Sequence, residues 1–526
     1  MRNTIFTSVS ACLIALCSVA QSSLEAQNIK ESVQVTNDYH SAFDQFDKQS
    51  ERTVIPDSLY RFDYSFDYSV FDTPYKGSYD FTPYNVSITP SRREDPSTRF
   101  YLRAGAGVSP RPVLGAVYTP LSSQRASLSL YNYGSGIYTR SFYDFSDRLG
   151  VGGKLLSKAG NLDYNLAYHG IFAGSGSYAG GTHSASASMA FTSAASPLSF
   201  FKYDVGIDYN YCLDVNSVNP AAEHRFNLFG SIGPNISEKY AFLIDYDFTM
   251  ASSSLAVLKP HLLFDLGIFD VDAGLKVNYA FVSSKGTLSI SPSLNASVDV
   301  LKGALKAGLF LQGGRSLNTL YSLKSFNPFY VSGSDIAPLS AERYNAGLSL
   351  DGRLFQSLQY SFKGGYASRS GAVLDSYLSA GSADYRVAYA DFSAAYLSER
   401  LNANALISFK KSYFDPSASP LVYAPAALRA DIGATYNFLK RLYLGLGLEF
   451  SSARSLVCAD AALLEACGFE QRISPYADLA LNVEWFQSKQ LSVWGTLGNL
   501  LFQQISRRPG CIEKGPYVTL GVSWRI

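Results

Sequence analysis

The chain has 526 residues, of which 47% are hydrophobic, 17% charged and 14% aromatic, and its formal net charge is +1. The apolar content is too high for an intrinsically disordered protein, and the near-neutral charge excludes the basic excess of a nucleic-acid-binding protein. The charged fraction is below the roughly 25% that is typical of soluble domains. Because 37 Tyr and 34 Phe accompany this low charge, the composition is unusual for a soluble α/β enzyme.

Residues 1–20 have the layout of a signal peptide. Arg2 precedes an apolar stretch from Ile5 to Ala20, and small residues allow cleavage before Gln21, with Ala26 as a later alternative. The apolar run is short and is interrupted by Ser and Thr, which argues against a transmembrane anchor. Since no later stretch contains 18 consecutive apolar residues, no transmembrane helix is expected in the exported protein.

Residues 27–98 are predicted to form a periplasmic N-terminal extension. Between Tyr60 and Val70, apolar and polar side chains alternate, which is typical of a strand, but no hairpin partner is adjacent. Such a strand would enter the barrel described below as a partial plug, or would add to the sheet edge of a periplasmic partner. The third interpretation is a tail whose alternation arises by chance.

From residue 99 to the C-terminus, apolar and polar residues alternate in long segments. In Val271–Phe281, the odd-numbered residues are apolar and the even-numbered ones are mostly polar or small. The same alternation recurs in residues 201–210, 242–248, 428–438 and 477–485. These segments run to about 10–12 residues, which is long for a soluble sandwich but matches the length needed to cross a bilayer. The sequence therefore predicts an all-β fold, a transmembrane antiparallel β-barrel over residues 99–526, with its apolar rows facing lipid.

The lengths of the connections support the same fold. We predict about 22 strands, with short connections after even-numbered strands and mostly long ones after odd-numbered strands, as in outer-membrane barrels with short periplasmic turns and long extracellular loops. The predicted short connections are 121–124, 157–161, 267–270, 301–303, 354–357, 439–441 and 487–490. The predicted long connections are 133–147, 173–183, 212–224, 315–342, 368–384, 411–426, 452–472 and 503–515. The stretch Ser316–Leu339, rich in Tyr, Phe and Ser, is a candidate for folding inward.

No residue pattern predicts a catalytic or metal site. His169 is expected to face inward near Asp163 and Asn165, but no nucleophile-elbow motif accompanies it. We interpret His169 as a polar residue of the lumen or a loop, and we predict no enzymatic activity, no metal and no cofactor.

The inward acidic residues are expected to solvate the lumen or to form ion pairs. These residues include Asp245, Asp247, Asp478 and Glu484, and their expected cationic partners are Lys202, Lys276 and Arg429.

Cys458 and Cys467 lie in the same predicted extracellular loop. Because exported proteins fold where disulfides persist, we predict a bridge between them.

The last ten residues, Tyr517–Ile526, form an amphipathic strand that ends at the chain terminus. This arrangement resembles the signal that the barrel-assembly machinery reads in outer-membrane proteins, with Trp524 and Ile526 as the candidate signal residues. The usual final residue is aromatic, whereas here it is Ile526.

Several short motifs resemble those of TonB-dependent-receptor-like outer-membrane barrels. Gly498–Gln503 resembles the N-L-F strand near the end of TonB-dependent receptors, and Tyr101–Gly107 resembles the first hairpin of receptor-like barrels of similar size. Val35–Tyr39 and Pro56–Ser58 are similar to phrases in the N-terminal extensions of those barrels. The chain therefore resembles receptor-like barrels that lack a full plug domain, since residues 27–98 are too few for one.

A stretch that resembles a TonB box lies in the N-terminal extension. It consists of Glu31, Ser32, Val33, Gln34, Val35 and Thr36.

The resemblance implies a transport or channel component for an unknown solute in the outer membrane of a diderm bacterium. Its implied partners are outer-membrane lipid and the barrel-assembly machinery. The alternative is a non-transporting scaffold in an envelope assembly or export complex, with the extension docking a periplasmic protein or a surface lipoprotein. No nucleic-acid partner is expected.

Overall fold

The computed structural model describes residues 99–526 except 124, 177, 194–200, 217–218, 238, 302, 334–335, 356, 415–420, 439 and 459–469. The predicted signal peptide, the N-terminal extension and Cys467 lie outside the described residues. Within the described ranges, no helix is long and apolar enough to span a bilayer.

Twenty-two antiparallel strands form one sheet. Its strands are β1 (Phe100–Val108), β2 (Val113–Ser122), β3 (Ala126–Tyr138), β4 (Phe142–Leu156), β5 (Gly160–Ser175), β6 (Tyr178–Ser193), β7 (Phe201–Asn216), β8 (Ala221–Ser237), β9 (Tyr240–Met250), β10 (Ser254–Asp265), β11 (Phe269–Val282), β12 (Lys285–Leu301), β13 (Leu305–Leu317), β14 (Leu339–Leu354), β15 (Leu358–Ser376), β16 (Ser379–Leu397), β17 (Leu401–Phe414), β19 (Leu428–Phe438), β20 (Leu442–Ser451), β23 (Tyr476–Phe486), β24 (Leu491–Gly498) and β27 (Tyr517–Arg525). The first and last strands pair from Tyr101 opposite Arg525 to Val108 opposite Val518, which closes the sheet into a barrel. The predicted strand number and fold are confirmed.

The remaining elements lie in connections between barrel strands. Three short strands, β18 (Val422–Tyr423), β21 (Arg454–Val457) and β22 (Arg472–Ile473), form a small sheet. A hairpin of β25 (Gln504–Arg508) and β26 (Cys511–Lys514) lies between β24 and β27, and helix α1 (Leu320–Phe326) lies between β13 and β14. These connections are at the end of the barrel opposite the two chain ends of the sheet, which is the extracellular end in barrels of this class.

The apolar residues of the alternating strands lie on the outer face of the barrel, as predicted. On β11, Leu275 is 54% exposed and Tyr279 is 50% exposed, whereas Asn278 is fully buried. On β27, Leu520 is 63% exposed, whereas Thr519 is 3% exposed. An apolar outer face on a closed barrel is stable only in contact with lipid, because in water it would be an extended exposed apolar surface. The barrel is therefore a membrane barrel.

Four of the predicted long connections are mostly strand. The predicted connection 133–147 is an extended hairpin in which β3 runs to Tyr138 and β4 begins at Phe142. The predicted connections 173–183, 212–224 and 368–384 likewise consist largely of strand residues. Aromatic pairs stabilise these extensions beyond the bilayer, as with Tyr138 and Tyr143, whose rings stack at 6.3 Å. At the periplasmic end, the short connections between consecutive strands lie where they were predicted, as between Leu156 at the end of β4 and Gly160 at the start of β5.

Candidate functional site: the barrel lumen and its mouth segment

The inner wall of the barrel is polar, and it contains both buried and exposed side chains. On β7, the inward row contains Lys202, Asp204, Asp208 and Asn210, as the sequence predicts. On β17, Phe409 lies on the outer face, so its neighbour Lys410 points inward. The Lys410 side chain is nevertheless exposed. Such a wall can contact hydrated solutes, as in barrels with an aqueous interior.

The connection from Asn318 to Pro338, here called the mouth segment, packs against distant strands at the extracellular end. Its helix α1 begins after Thr319, whose side chain accepts a hydrogen bond from the Ser322 amide and satisfies one free donor of the first turn. The Leu320 amide donates to Glu223 on β8 at 2.5 Å. A carboxylate at this position stabilises the start of the helix.

The far side of the mouth segment is held by apolar contacts with strands on the opposite side of the barrel. Phe329 is 1% exposed and packs with Phe142 on β4, Ala173 on β5 and Cys511 on β26. In a ring of 22 strands, β4 lies nearly opposite β14, where the mouth segment ends. The segment therefore crosses the mouth, which agrees with the expectation that Ser316–Leu339 folds inward.

A second apolar cluster holds the near side of the segment. Leu323 and Tyr330 pack against Ala380 on β16, with Ile336 and Val373 at the edge of the cluster.

A buried ion pair fixes α1 to the barrel wall. The Lys324 ammonium lies 2.8 Å from the Asp214 carboxylate on β7, and both side chains are fully buried. Asp214 also accepts hydrogen bonds from Thr182 and Ser332, and Lys324 donates to the Tyr178 hydroxyl at 3.2 Å. Burial lowers the pKa of Lys324, while the hydrogen bond and charge of Asp214 oppose that change. If either group were removed from this buried site, the charge of the other would be left without a counter-charge, which is costly. The ion pair therefore stabilises the docked position of the mouth segment.

His169 faces inward as predicted, and it contacts the mouth segment. Its Nδ1 lies 3.0 Å from the Tyr321 hydroxyl, and its Nε2 lies 2.9 Å from Ser146 Oγ. Asp163 and Asn165 lie on the same face of β5, as expected, but they bond to other residues: Asp163 pairs with Lys154, and Asn165 accepts from Tyr131. Among the described residues, no carboxylate bonds to His169, so the third group of a Ser-His-acid triad is not present there.

The hairpin β25–β26 carries a second charged cluster. The Arg507 guanidinium contacts Glu449 on β20 at 3.0 Å, Asp478 on β23 at 2.5 Å and Glu513 on β26 at 2.6 Å. Burial alone lowers the pKa of Arg507, but the three carboxylates outweigh burial and raise it above its usual value. The guanidinium therefore stays charged and holds the hairpin to the wall. Arg508 pairs with Asp144 on β4 and adds a second attachment.

A third cluster lies on the wall formed by β9, β10 and β11. Lys259 and His261 each contact both Asp245 and Asp272, with His261 Nδ1 2.7 Å from Asp272 and Lys259 Nζ 3.0 Å from it. The part of the chain that the structure describes contains no group of His, Cys, Asp and Glu arranged to hold a metal ion.

The partners expected for the inward acidic residues were partly wrong. Asp245 pairs with Lys259 and His261, and Asp478 pairs with Arg507, none of which were expected. Lys276 forms no ion pair among the described residues. Arg429 does contact carboxylates, those of Asp431 and Glu449. The alternation along a strand shows which face of the barrel a charged residue occupies. Which charged residues form ion pairs depends on the closure of the barrel and on the position of the β25–β26 hairpin.

The other predicted site residues are placed as follows. Cys458 follows β21, but Cys467 lies outside the described residues, so their bridge stays a prediction. Trp524 and Ile526 lie on the outer face, 42% and 52% exposed. The stretch from Glu31 to Thr36 lies outside the described residues, and its resemblance to a TonB box stays untested.

The fold is similar to those of solved outer-membrane receptors and transporters. The FrpB iron transporter from Neisseria meningitidis matches with a TM-score of 0.62 at 10% identity, over 82% of each chain. The ferric enterobactin receptor PfeA from Pseudomonas aeruginosa matches with a TM-score of 0.63 at 10% identity, over 82% of this chain and 81% of that one. The copper transporter OprC matches with a TM-score of 0.58 at 12% identity, over 82% of this chain and 80% of that one.

By sequence, no protein-family model and no curated protein matches the chain. The likeness in structure confirms the predicted resemblance at the level of the fold: the described residues form a 22-stranded barrel of the TonB-dependent-receptor type, the fold of an outer-membrane protein.

Proposed function

We propose that this protein is an outer-membrane transport barrel whose extracellular end is closed by the mouth segment until the segment is displaced. The observation that carries the proposal is the path of the segment across the mouth, from β13 and β14 to Phe142 on β4. The polar inner wall supplies a route for a hydrated solute beneath it. The fold shared with solved transporters supports the same function.

The attachments of the segment suit a closure that opens reversibly. Its contacts with the rest of the described chain are one buried ion pair, at least eight hydrogen bonds and two small apolar clusters, without a covalent link in the described part of the segment. Because all of these contacts are non-covalent, the free energy of binding of a ligand or a partner can shift the segment from its docked position.

The test is ion conductance in planar bilayers, with the purified full chain compared with variants of the mouth segment. In one variant, residues 319–333 are replaced by a short Gly-Ser linker; in a second, Lys324→Met removes only the ammonium. We expect a low conductance for the unaltered chain and higher or more frequent conductance for both variants, because the segment no longer covers the mouth. Lys154→Met is the matched control, since Lys154 and Asp163 form an exposed pair, with side chains 68% and 48% exposed.

The proposal fails if both variants fold into heat-modifiable barrels and conduct no better than the unaltered chain. Silent bilayers together with a partner protein that co-purifies from native membranes would favour a scaffold instead.

A further inference from the structure

We infer that the outer face of β15–β17 at the extracellular rim binds the phosphate group of an anionic lipid in the surrounding leaflet. The inference starts from two cations that face lipid, Arg386 on β16 and Lys411 on β17, both of which are exposed. Their faces are fixed by their neighbours: Tyr385 and Phe414 point inward and stack with ring centres 5.2 Å apart. Since successive strand residues point to opposite faces, Arg386, Lys411 and Tyr413 point outward.

The two cations lie at the height of the lipid headgroups. Lys411 is ten residues above Leu401, which starts β17 at the periplasmic end. At about 3.3 Å per residue and about 40° tilt, ten residues rise about 25 Å, the height of the apolar band of such barrels. Arg386 is likewise ten residues from Tyr396 near the periplasmic end of β16. Both side chains therefore lie at the upper boundary of the apolar band.

The register brings the two cations together. Arg386 pairs with Tyr413, and Lys411 pairs with Ala388, so the cations are diagonal neighbours on one face. Diagonal neighbours are about 7–8 Å apart at the backbone, which long side chains span. The Lys411 ammonium also lies 5.5 Å from the centre of the Tyr413 ring. One phosphate can therefore accept hydrogen bonds from both cations, with the Arg386 guanidinium offering a bidentate contact.

Among the described residues, neither Arg386 nor Lys411 has a carboxylate in ion-pair distance. The nearest acidic residue on the same face, Asp384, accepts hydrogen bonds from Ser370 and the Gly371 amide and lies 3.6 Å from Arg343. Because charges next to a bilayer are costly without a counter-charge, an anionic headgroup is the partner that this pair lacks.

The outer surface below the cations is apolar. Toward the periplasmic end, Ala388 and Ala390 follow Arg386 on the outward row of β16. Tyr366 on β15 pairs with Ala388 and Phe409 on β17 pairs with Ala390, and these aromatic side chains are 37% and 52% exposed. The acyl chains of a lipid whose phosphate contacts the two cations would lie against this apolar surface.

The test is native mass spectrometry of the full chain with lipid A that carries both phosphates, and with the same lipid after its phosphates are removed. We expect one phosphorylated lipid to stay bound, and Arg386→Gln with Lys411→Gln to weaken that binding about 30-fold, from the loss of two cations at a membrane surface. Arg386→Lys with Lys411→Arg keeps both charges and should bind like the unaltered chain. The control Lys285→Gln changes an exposed lysine at the β11–β12 tip and should bind normally.

Three results would overturn the inference. They are equal binding by the double glutamine variant when its heat-modifiable mobility shows a folded barrel, equal binding of the dephosphorylated lipid, and full displacement of the lipid by inorganic phosphate. The last result would identify a site for the free anion rather than for a lipid headgroup.

Discussion

Lys324 and Asp214 connect the mouth segment to the barrel wall through a pair that is fully buried on both sides. Around this pair, aromatic side chains exclude water, and Phe329 covers Cys511 on the neighbouring hairpin. Burial raises the pKa of the Cys511 thiol to about 12. The Lys324–Asp214 pair therefore helps to hold the mouth segment in place, and Phe329 helps to bury Cys511 and so to lower its reactivity.

The thiol of Cys511 is expected to report on opening of the mouth. At pH 8 the thiol is protonated and covered, so a maleimide should label it slowly, because the thiolate is the reactive form. Lys324→Met should speed labelling at least several-fold, since it removes an attachment worth about 3–5 kcal/mol. Peptide mapping of the labelled site measures the rate. An unchanged rate in Lys324→Met would contradict the buried pair as an attachment, and Lys154→Met is the control.

Arg507 should be needed to keep the β25–β26 hairpin docked. Arg507→Met leaves Glu449, Asp478 and Glu513 without their shared cation, a loss of about 1–3 kcal/mol for hydrogen-bonded charges in a partly buried cluster. We expect the glutamate-specific protease Glu-C to cleave after Glu513, which is 8% exposed in the docked hairpin, much faster in this variant, and Arg507→Lys to be intermediate. Lys514→Met, which changes an exposed lysine of the same hairpin, should leave the rate of cleavage after Glu513 unchanged. Slow cleavage in Arg507→Met would show that the cluster does not hold the hairpin.

At the scale of elements, the terminal strand closes the barrel through its last residue. The Ile526 carbonyl accepts from the Arg99 and Phe100 amides, and the Ile526 amide donates to Phe100. The Trp524 ring packs edge-on against Phe100 with ring centres 5.8 Å apart. The seam therefore depends on the residues proposed as the barrel-assembly signal.

Deleting Ile526 is expected to lower the yield of folded barrel. The deletion removes three backbone hydrogen bonds at the seam and the last outward apolar residue. The heat-modifiable fraction in outer-membrane preparations measures the yield. Ile526→Phe keeps the backbone bonds and supplies the usual aromatic terminus, so it should assemble at least as well. Normal assembly of the deletion would exclude Ile526 from the signal.

The connection between β21 and β22 is expected to carry a disulfide between Cys458 and Cys467. Peptide mass mapping without reductant should recover both cysteines in one linked species, two hydrogens lighter than the reduced pair. Treatment with dithiothreitol should separate the peptides or add the two hydrogens. Alkylation of both thiols in unreduced protein would show that the bridge is not formed.

At the scale of the whole molecule, 22 strands close into one barrel whose extracellular end carries the mouth segment. The cationic pair on the outer rim adds a surface directed at the membrane rather than at the lumen. The N-terminal extension, residues 27–98, has three interpretations, a partial plug, a strand that docks to a periplasmic partner, or a tail, and only the first predicts an effect on passage.

Deleting residues 27–98 in the mouth-segment linker variant is expected to raise conductance further. The predicted strand Tyr60–Val70 would occupy the lumen from the periplasmic side, so its removal widens the route. Single-channel recordings of the two variants measure the difference. Equal conductance would favour the other interpretations, a strand that docks to a periplasmic partner or a tail.

The sequence alone determined the fold class, the approximate strand number and the outward face of the strands with a clear alternation. Within the bilayer, each backbone group of a strand must bond to a neighbouring strand, and the outward side chains that contact the hydrocarbon are mostly apolar. The sequence of a spanning strand therefore alternates with a period of two residues, as in Val271–Phe281. It also placed His169 inward and marked Ser316–Leu339 as a candidate for folding inward.

Only the tertiary structure decided which distant residues meet. Lys324 with Asp214 and Arg507 with Glu449 and Asp478 join residues far apart in the chain, and no local period encodes their pairing. Four hairpins were predicted as loops because strand residues above the bilayer need no apolar outer face. These contacts arise from closing 22 strands into a ring, which brings connections from opposite sides to one mouth.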